Sequence, residues 1–110
     1  RQMCIRDRVK VAPNEAHSGA HEWWSNRGDD SDMTLTRTFD LSGVDQAQLQ
    51  FWTWYDIEKD WDFAYVEVST DGGQTWDILP GRHTTAENKS GNNFGQAWTG
   101  ISGGRVNDWD

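Results

Sequence analysis

Hydrophobic and polar positions alternate over several short stretches of this chain, a pattern typical of β-strands. Between Met33 and Leu41 an apolar side chain stands at every second position except at Arg37, which predicts a strand with one buried face. Between Leu49 and Tyr55 bulky side chains occupy both faces of the alternation, and we therefore expect a central strand there.

A third alternating stretch leads into a tight turn and a returning strand. Ala64, Val66 and Val68 share one face, and the sequence Asp-Gly-Gly at 71–73 supplies residues that tolerate the positive φ of a hairpin turn. The returning strand begins at Trp76. Four strands at intervals of about a dozen residues, with no helical periodicity, predict an all-β fold, an antiparallel β-sandwich of the jelly-roll type.

The ends of the chain and its long loop set the expected limits of the domain. Residues 1–8 contain three Arg without alternation, and we interpret them as a non-native junction or a disordered stretch. Residues 81–104 are rich in Gly, Asn and Thr, which predicts one long loop with partial structure. Residues 106–110 resemble the approach to another strand. We therefore expect a single β-sandwich domain over residues 9–110, incomplete at its C-terminal end.

Composition changes this picture mainly through charge. Ten basic against 18 acidic residues give a formal net charge of −8, which favours cations and makes nucleic acid and anionic membranes unexpected partners. No apolar run approaches the roughly 18 residues of a membrane helix. No signal peptide is recognisable, so the signal of a secreted protein would lie outside this chain. The eight Trp residues predict a core built on aromatic rings.

Acidic side chains fall into two groups that flank predicted strands. One group comprises Asp29, Asp30 and Asp32, and the other lies in the stretch 56–62. Carboxylates held close together repel each other, and a Ca²⁺ ion, which takes roughly six to eight oxygen ligands, turns that repulsion into binding. The alternative is that these are solvated carboxylates or ion-pair partners of nearby Arg and Lys residues. The residues alone leave both interpretations open.

Two further features have both a chemical and a structural interpretation. Residues 69–76, Ser-Thr-Asp-Gly-Gly-Gln-Thr-Trp, fit the S-x-D-x-G-x-T-W hairpin called the Asp box, which repeats in propeller glycosidases. A single copy predicts a folded turn with no catalytic role. Trp52, Trp54 and Trp61 are candidate stacking residues for sugar rings. The alternative for these rings is packing within the domain or against a neighbouring one.

Several stretches between Ala16 and Asp110 together resemble the β-sandwich, MAM-like domain that accompanies the catalytic domain in immune inhibitor A-type metallopeptidases of secreting bacteria. They are residues 23–25, 28–30, 35–41, 51–58 and 61–73. The resemblance implies a sandwich that continues past Trp109 with further strands. It also implies structural calcium. The expected calcium ligands are Asp30, Asp32, Glu58 and Asp62.

The same resemblance bears on catalysis. The family's peptidase chemistry uses a zinc-binding H-E-x-x-H helix, and this chain lacks it, because His21-Glu22 is followed by Trp-Trp-Ser with no second His. The leading hypothesis is a non-catalytic, calcium-stabilised accessory domain of a secreted bacterial zinc metallopeptidase, whose partner is the catalytic domain of the same parent chain. The alternatives are a carbohydrate-binding module that binds polysaccharide through exposed Trp residues, and a fragment of an Asp-box glycosidase.

Overall fold

The computed structural model of the chain describes residues 2–3, 14–26, 28 and 31–103. The chain divides into two compact units, Arg1–Gln50 and Phe51–Asp110, which we call the first and the second unit. All strands in the described residues are antiparallel, and no helix occurs among them, which confirms the all-β prediction. In that part of the chain there is accordingly no helix with the length and apolar character needed to cross a bilayer. The packing of strands into a sandwich stays a prediction.

The first unit contains one short antiparallel pair. Strand β1, Gln2–Met3, pairs with β2, Trp23–Trp24. β1 lies within residues 1–8, outside the predicted domain. Residues 31–50 form no strand, and every one of them is exposed. The ordered backbone pairing of this unit is therefore confined, among its described residues, to β1 and β2.

The strands predicted at 33–41 and 49–55 are absent from the structure, and these two predictions were wrong. An alternating pattern identifies side chains that can share a face, whereas a strand also needs a neighbour that pairs with its N–H and C=O groups. A turn follows Leu41. The N–H of Val44 donates to the carbonyl of Leu41 over 3.2 Å, and Gly43 has a φ of 80°.

The second unit contains the predicted hairpin. Strands β3, Val66–Val68, and β4, Asp77–Leu79, pair antiparallel with Glu67 opposite Ile78. Both glycines of the connecting turn have positive φ values, 76° and 91°, in a region that glycine reaches without steric cost. The third alternating stretch, the tight turn and the returning strand are therefore confirmed.

The centre of the second unit lies at the end of the predicted long loop, residues 81–104. Ala97 is fully buried and Trp98 is 7% exposed. The backbone of Trp98 exchanges two hydrogen bonds of 2.9 Å with Ala64, and that of Ala97 exchanges two of 2.8 and 3.0 Å with Thr85. The loop thus has the partial structure that its composition predicts, and its last part joins two earlier segments of the chain.

The ring of Trp98 explains why residue 81 is a glycine. Phe51 meets this ring edge-on, with the ring centroids 5.8 Å apart and the planes inclined by 65°. A Cβ atom at Gly81 would lie 2.7 Å from Cζ2 of Trp98, well inside van der Waals contact. A side chain at position 81 would therefore displace the largest buried apolar ring in the described residues.

Candidate functional site

Four acidic side chains lie on one turn of the second unit, residues 56–62, which we call the acidic turn. The N–H groups of Trp61 and Asp62 both donate to the carbonyl of Glu58, over 3.2 and 2.9 Å. Asp60 adopts a φ of 67°. A non-glycine residue in this left-handed region costs on the order of 1 kcal/mol and persists only where its surroundings fix it. The acidic turn therefore has one defined backbone conformation.

Two hydroxyl groups from distant parts of the sequence hold the acidic turn. Oγ1 of Thr99 accepts a hydrogen bond from the N–H of Asp60 over 3.0 Å and donates one to the carbonyl of Asp62 over 2.7 Å. The hydroxyl of Ser90 donates to the carbonyl of Asp60. These contacts satisfy backbone groups that the turn leaves unpaired. The conformation of Asp60 thus depends on residues 39 and 30 positions away.

The carboxylates of the acidic turn are left available by this arrangement. Asp56, Glu58 and Asp62 are exposed, and within the described ranges no side-chain hydrogen bond or ion pair engages them. Oδ2 of Asp60 lies 4.0 Å from Nζ of Lys89, whose side chain is 65% exposed, so this ion pair is weak. Several like charges with one weak cationic partner create a local field that attracts a cation.

The structure brings two of the four predicted calcium ligands onto one turn. Glu58 and Asp62 are joined by the 2.9 Å backbone hydrogen bond of the acidic turn. Asp32 is exposed in the first unit, and Asp30 lies outside the described residues. In the part of the chain that the structure describes, no three His, Cys, Asp or Glu side chains are grouped so that they could hold a metal ion. Calcium binding stays a prediction.

The three predicted stacking residues differ in exposure. Trp52 is 60% exposed and Trp61, within the acidic turn, is 57% exposed, whereas Trp54 is half-buried. Large exposed rings are candidates for contact with a ligand or with another domain. Their exposure is compatible with either role, and sugar binding stays a prediction.

Asp71 is used differently from the carboxylates of the acidic turn. It lies in the turn formed by residues 69–76, which we call the Asp71 turn. Oδ1 of Asp71 accepts from the N–H groups of Gln74 and Thr75 over 3.0 and 2.9 Å. It also accepts from the hydroxyl of Ser69 over 2.8 Å, and Oδ2 accepts from the hydroxyl of Thr75 over 2.5 Å. These hydrogen bonds lower the pKa of Asp71 to about 2. The largest contribution comes from the hydroxyl of Thr75, the next from its N–H and the third from the Ser69 hydroxyl. The carboxylate serves its own turn, which agrees with the predicted structural role.

Sequence reasoning missed Asn93, a buried polar residue that is 8% exposed. Its Nδ2 donates to the carbonyls of Thr85 and Glu87 over 3.2 and 2.9 Å. Its Oδ1 accepts from the Tyr65 hydroxyl over 3.2 Å and from the N–H of Gly95 over 3.0 Å. The side chain therefore fixes the loop that leads to Ala97. Composition marks this loop as Asn-rich, but nothing in the sequence separates this Asn from its neighbours.

Comparisons with known proteins give one family and several relatives. Residues 5–109 match the sequence model of a domain family described as Immune inhibitor A-like, MAM domain. The chain is 39% identical over 51 residues to Pre-pro-metalloprotease PrtV of Vibrio cholerae serotype O1 (strain M66-2), a stretch that covers 46% of this chain and 6% of that protein. It is 37% identical over 57 residues to Immune inhibitor A of Bacillus thuringiensis subsp. alesti, covering 51% of this chain and 8% of that protein.

The matched stretches cover only a small part of each relative. The chain corresponds to less than a tenth of the length of either relative. No solved structure matches the chain significantly. The family is therefore identified from sequence, and the geometry of the two turns comes from this structure alone.

Proposed function

Because the chain belongs to the immune inhibitor A-like MAM domain family, we propose that it positions the catalytic domain of its parent chain in a secreted bacterial metallopeptidase. The observation that carries this proposal is the family match over residues 5–109, which confirms the resemblance to immune inhibitor A-type proteins. Two relatives with similar stretches are named as a metalloprotease and as Immune inhibitor A. This family membership supports an accessory role, and the named relatives support a location outside the cell.

The chain itself is non-catalytic. The matched family is a MAM domain, and the H-E-x-x-H sequence is absent. His21 and Glu22, the nearest approach to it, directly precede β2 in a segment that is not helical. A zinc site of that type needs two His side chains one helical turn apart. Peptidase chemistry therefore belongs to another part of the proposed parent protein.

The second unit offers aromatic side chains for contact with a partner domain. Phe94 is 84% exposed and Trp61 is 57% exposed. The N–H of Phe94 donates to the Tyr65 hydroxyl over 3.0 Å, so this ring extends from a fixed backbone. Exposed aromatic side chains on a preorganised backbone are the residues that contribute most at protein interfaces. These two rings support a docking surface for the catalytic domain.

Calcium at the acidic turn is the second part of the proposal. As they stand, the carboxylates do not converge on one point, and the proposal rests on the charge and chemistry of the turn. Glu58 and Asp62 would supply oxygen ligands there. Extracellular modules of this kind bind calcium with dissociation constants of about 0.1–1 mM, which matches a domain that works outside the cell.

Calorimetric titration of this chain with the catalytic domain of its parent protein tests the accessory role. We expect saturable binding that Phe94→Ala weakens by a factor of roughly ten to thirty, because truncating a buried aromatic anchor costs about 2 kcal/mol. Phe39→Ala, which removes an equally large exposed ring from the first unit, is the matched control and should leave the affinity unchanged. The absence of any binding between the two domains would contradict the proposal.

Carbohydrate binding is the second candidate, and the exposure of Trp52 and Trp61 favours it. Sugar rings that stack on these indoles would quench or shift their fluorescence in a saturable manner. Titration of the intrinsic fluorescence with bacterial and host polysaccharides separates the two functions. An accessory domain gives no saturable change, whereas a binding module gives a change that Trp61→Ala removes.

A further inference from the structure

The Asp71 turn contains a peptide bond with an intrinsic chemical weakness. Asp71 is followed by Gly72, and at no other position of the sequence does a Gly follow an Asp or an Asn. Glycine has no Cβ atom, so its amide nitrogen is the least shielded from the carboxyl group of the preceding side chain. Asp77, by contrast, is followed by Ile78, whose branched side chain crowds that nitrogen. The bond between residues 71 and 72 is therefore the place where an acidic side chain and the next amide react most readily.

The reaction is an acyl transfer within the chain. The amide nitrogen of Gly72 attacks Cγ of Asp71, and the carboxyl hydroxyl leaves with the amide proton as water, which closes a five-membered succinimide ring. Water then opens the ring at either carbonyl. Opening at the backbone carbonyl leaves the chain connected through Cγ, which is isoaspartate. One water leaves and one returns, so the mass is unchanged and no other reactant is needed.

The folded turn fixes the carboxylate that would react. Oδ1 of Asp71 accepts from the N–H groups of Gln74 and Thr75 over 3.0 and 2.9 Å, and Oδ2 accepts from the Thr75 hydroxyl over 2.5 Å. The Ser69 hydroxyl donates to Oδ1 over 2.8 Å and accepts from the N–H of residue 73 over 2.9 Å. Both oxygens are thus held, and attack on Cγ requires the group to rotate and one oxygen to leave its donors.

The same hydrogen bonds keep Asp71 in its unreactive, ionised form. Only a protonated carboxyl group can lose its oxygen as water. The hydroxyl of Thr75, as the largest contribution, and the other donors lower the pKa of Asp71 to about 2, from 3.8. At neutral pH the protonated fraction is therefore lower than in the unfolded chain by roughly tenfold or more. Orientation and ionisation oppose the reaction together.

We propose that Asp71 is a modification site that its own turn protects. The bond between Asp71 and Gly72 isomerises to isoaspartate when the hairpin of β3 and β4 opens, and it is stable while the turn is formed. Every residue of the turn from 70 to 76 is exposed, so water reaches the succinimide as soon as it forms. Isoaspartate at position 71 therefore accumulates in proportion to the time that the hairpin has spent open.

The product no longer fits the turn. Isoaspartate lengthens the backbone by one atom and brings the carboxylate one carbon closer to the main chain. Its oxygens are then displaced from the donors at 69, 74 and 75. Strands β3 and β4, which pair Glu67 with Ile78, lose the turn that joins them in register. A modified chain should therefore lose hairpin order, and the Asp71 turn limits the chemical lifetime of the domain.

Comparing the folded and the unfolded chain tests the protection directly. The full chain is incubated at neutral pH, and isoaspartate is measured by an isoaspartyl methyltransferase and by mass spectrometry of the peptide that contains residue 71. We expect the folded chain to react at least roughly tenfold more slowly than the same chain unfolded in guanidinium chloride. Asp77, which precedes Ile78, is the internal control and should stay unmodified in both states. Equal rates at Asp71 in the two states would overturn the proposal.

Variants of the donors test whether the turn itself provides the protection. Thr75→Val removes the hydroxyl that donates to Oδ2 and should accelerate isomerisation roughly fivefold, whereas Thr75→Ser keeps the hydroxyl and should react as the unmodified chain does. Thr70→Val, beside Asp71 but not a donor to its carboxylate, is the matched control and should leave the rate unchanged.

Hydrogen exchange separates opening of the turn from a general loss of stability. The amides of β3 and β4 are followed in the same variants, and the rate of isomerisation should rise with the opening of this hairpin. Acceleration by Thr70→Val as large as that by Thr75→Val would contradict the proposal. A rate that does not rise with hairpin opening would contradict it as well.

Discussion

The Asp71 turn and the acidic turn of the second unit use the carboxylate group in opposite ways. In the Asp71 turn the carboxylate accepts hydrogen bonds from three residues of its own loop, over 2.5–3.0 Å. In the acidic turn the backbone is held by the hydroxyls of Thr99 and Ser90. Most carboxylates of this turn therefore make no hydrogen bond to its backbone. In the Asp71 turn the carboxylate stabilises the turn itself, whereas most carboxylates of the acidic turn are exposed and make no such contacts. Which atoms satisfy the backbone of a turn therefore decides whether its acidic residues are structural or available.

The largest expected effect comes from removing the carboxylate of the Asp71 turn. Asp71→Ala deletes the acceptor of four hydrogen bonds at once and should lower the melting temperature by several degrees or more, with loss of hairpin order. Thermal unfolding followed by Trp fluorescence measures it. Asp77→Ala, which removes an exposed carboxylate from β4, is the control and should have little effect. Equal effects of the two variants would remove the distinction between the turns.

The same carboxylate should make stability depend on pH in a defined window. The pKa of Asp71 is lowered to about 2 in the folded chain, from 3.8. A lowered folded-state pKa adds stability that is present above pH 3.8 and is lost as the pH falls through about 2. The difference in melting temperature between the unmodified chain and Asp71→Asn should therefore shrink from pH 5 to pH 2. A constant difference over this range would show that Asp71 acts without its charge.

The next effect concerns the hydroxyl that holds the acidic turn. Thr99→Val keeps the shape of the side chain and removes the hydroxyl, which bonds to the N–H of Asp60 and to the carbonyls of Asp62 and Glu58. The hydrogen bond to the N–H of Asp60 is partly buried, and leaving such a group unsatisfied costs about 1–3 kcal/mol, measurable by urea unfolding. Thr99→Ser retains the hydroxyl and should recover most of the loss. A Thr99→Val variant with an unchanged free energy of unfolding would show that the acidic turn keeps its conformation without the hydroxyl.

The smallest expected effect tests whether the carboxylates of the acidic turn are available to a cation. Calcium at several times its dissociation constant should stabilise the chain over EDTA by about 1 kcal/mol, measured by differential scanning fluorimetry. Glu58→Gln combined with Asp62→Asn should abolish this shift, whereas Asp71→Asn should leave it intact. An unchanged melt at millimolar calcium would assign the carboxylates of the acidic turn to the solvated surface.

The parts of the fold that sequence predicted correctly are those whose contacts are local. The Asp71 turn depends on donors within four positions of Asp71, and the hairpin strands that it joins pair residues at most 13 positions apart. Sequence patterns record such spacings directly, so the structural role of Asp71 could be read before the structure was known. The family resemblance was readable in the same way, because it rests on ordered short motifs.

The parts that sequence did not predict depend on distant partners. Thr99 and Ser90 stand 39 and 30 positions from the residue they hold, and Asn93 binds Tyr65 across 28 positions. The alternation at 33–41 did not supply a neighbouring strand, so no strand formed there and the predicted buried face is exposed. Patterns along one chain report which side chains can share a face, and they do not report which other segment will satisfy the backbone.

The most direct test of the accessory-domain proposal is to sequence the gene through both ends of this reading frame. We predict an H-E-x-x-H sequence in the same open frame, in a separate domain, because the family match places this chain with immune inhibitor A-like MAM domains. A frame that instead encodes repeated Asp boxes or a glycosidase domain, with no zinc-binding helix, would contradict the account and assign the chain to carbohydrate chemistry.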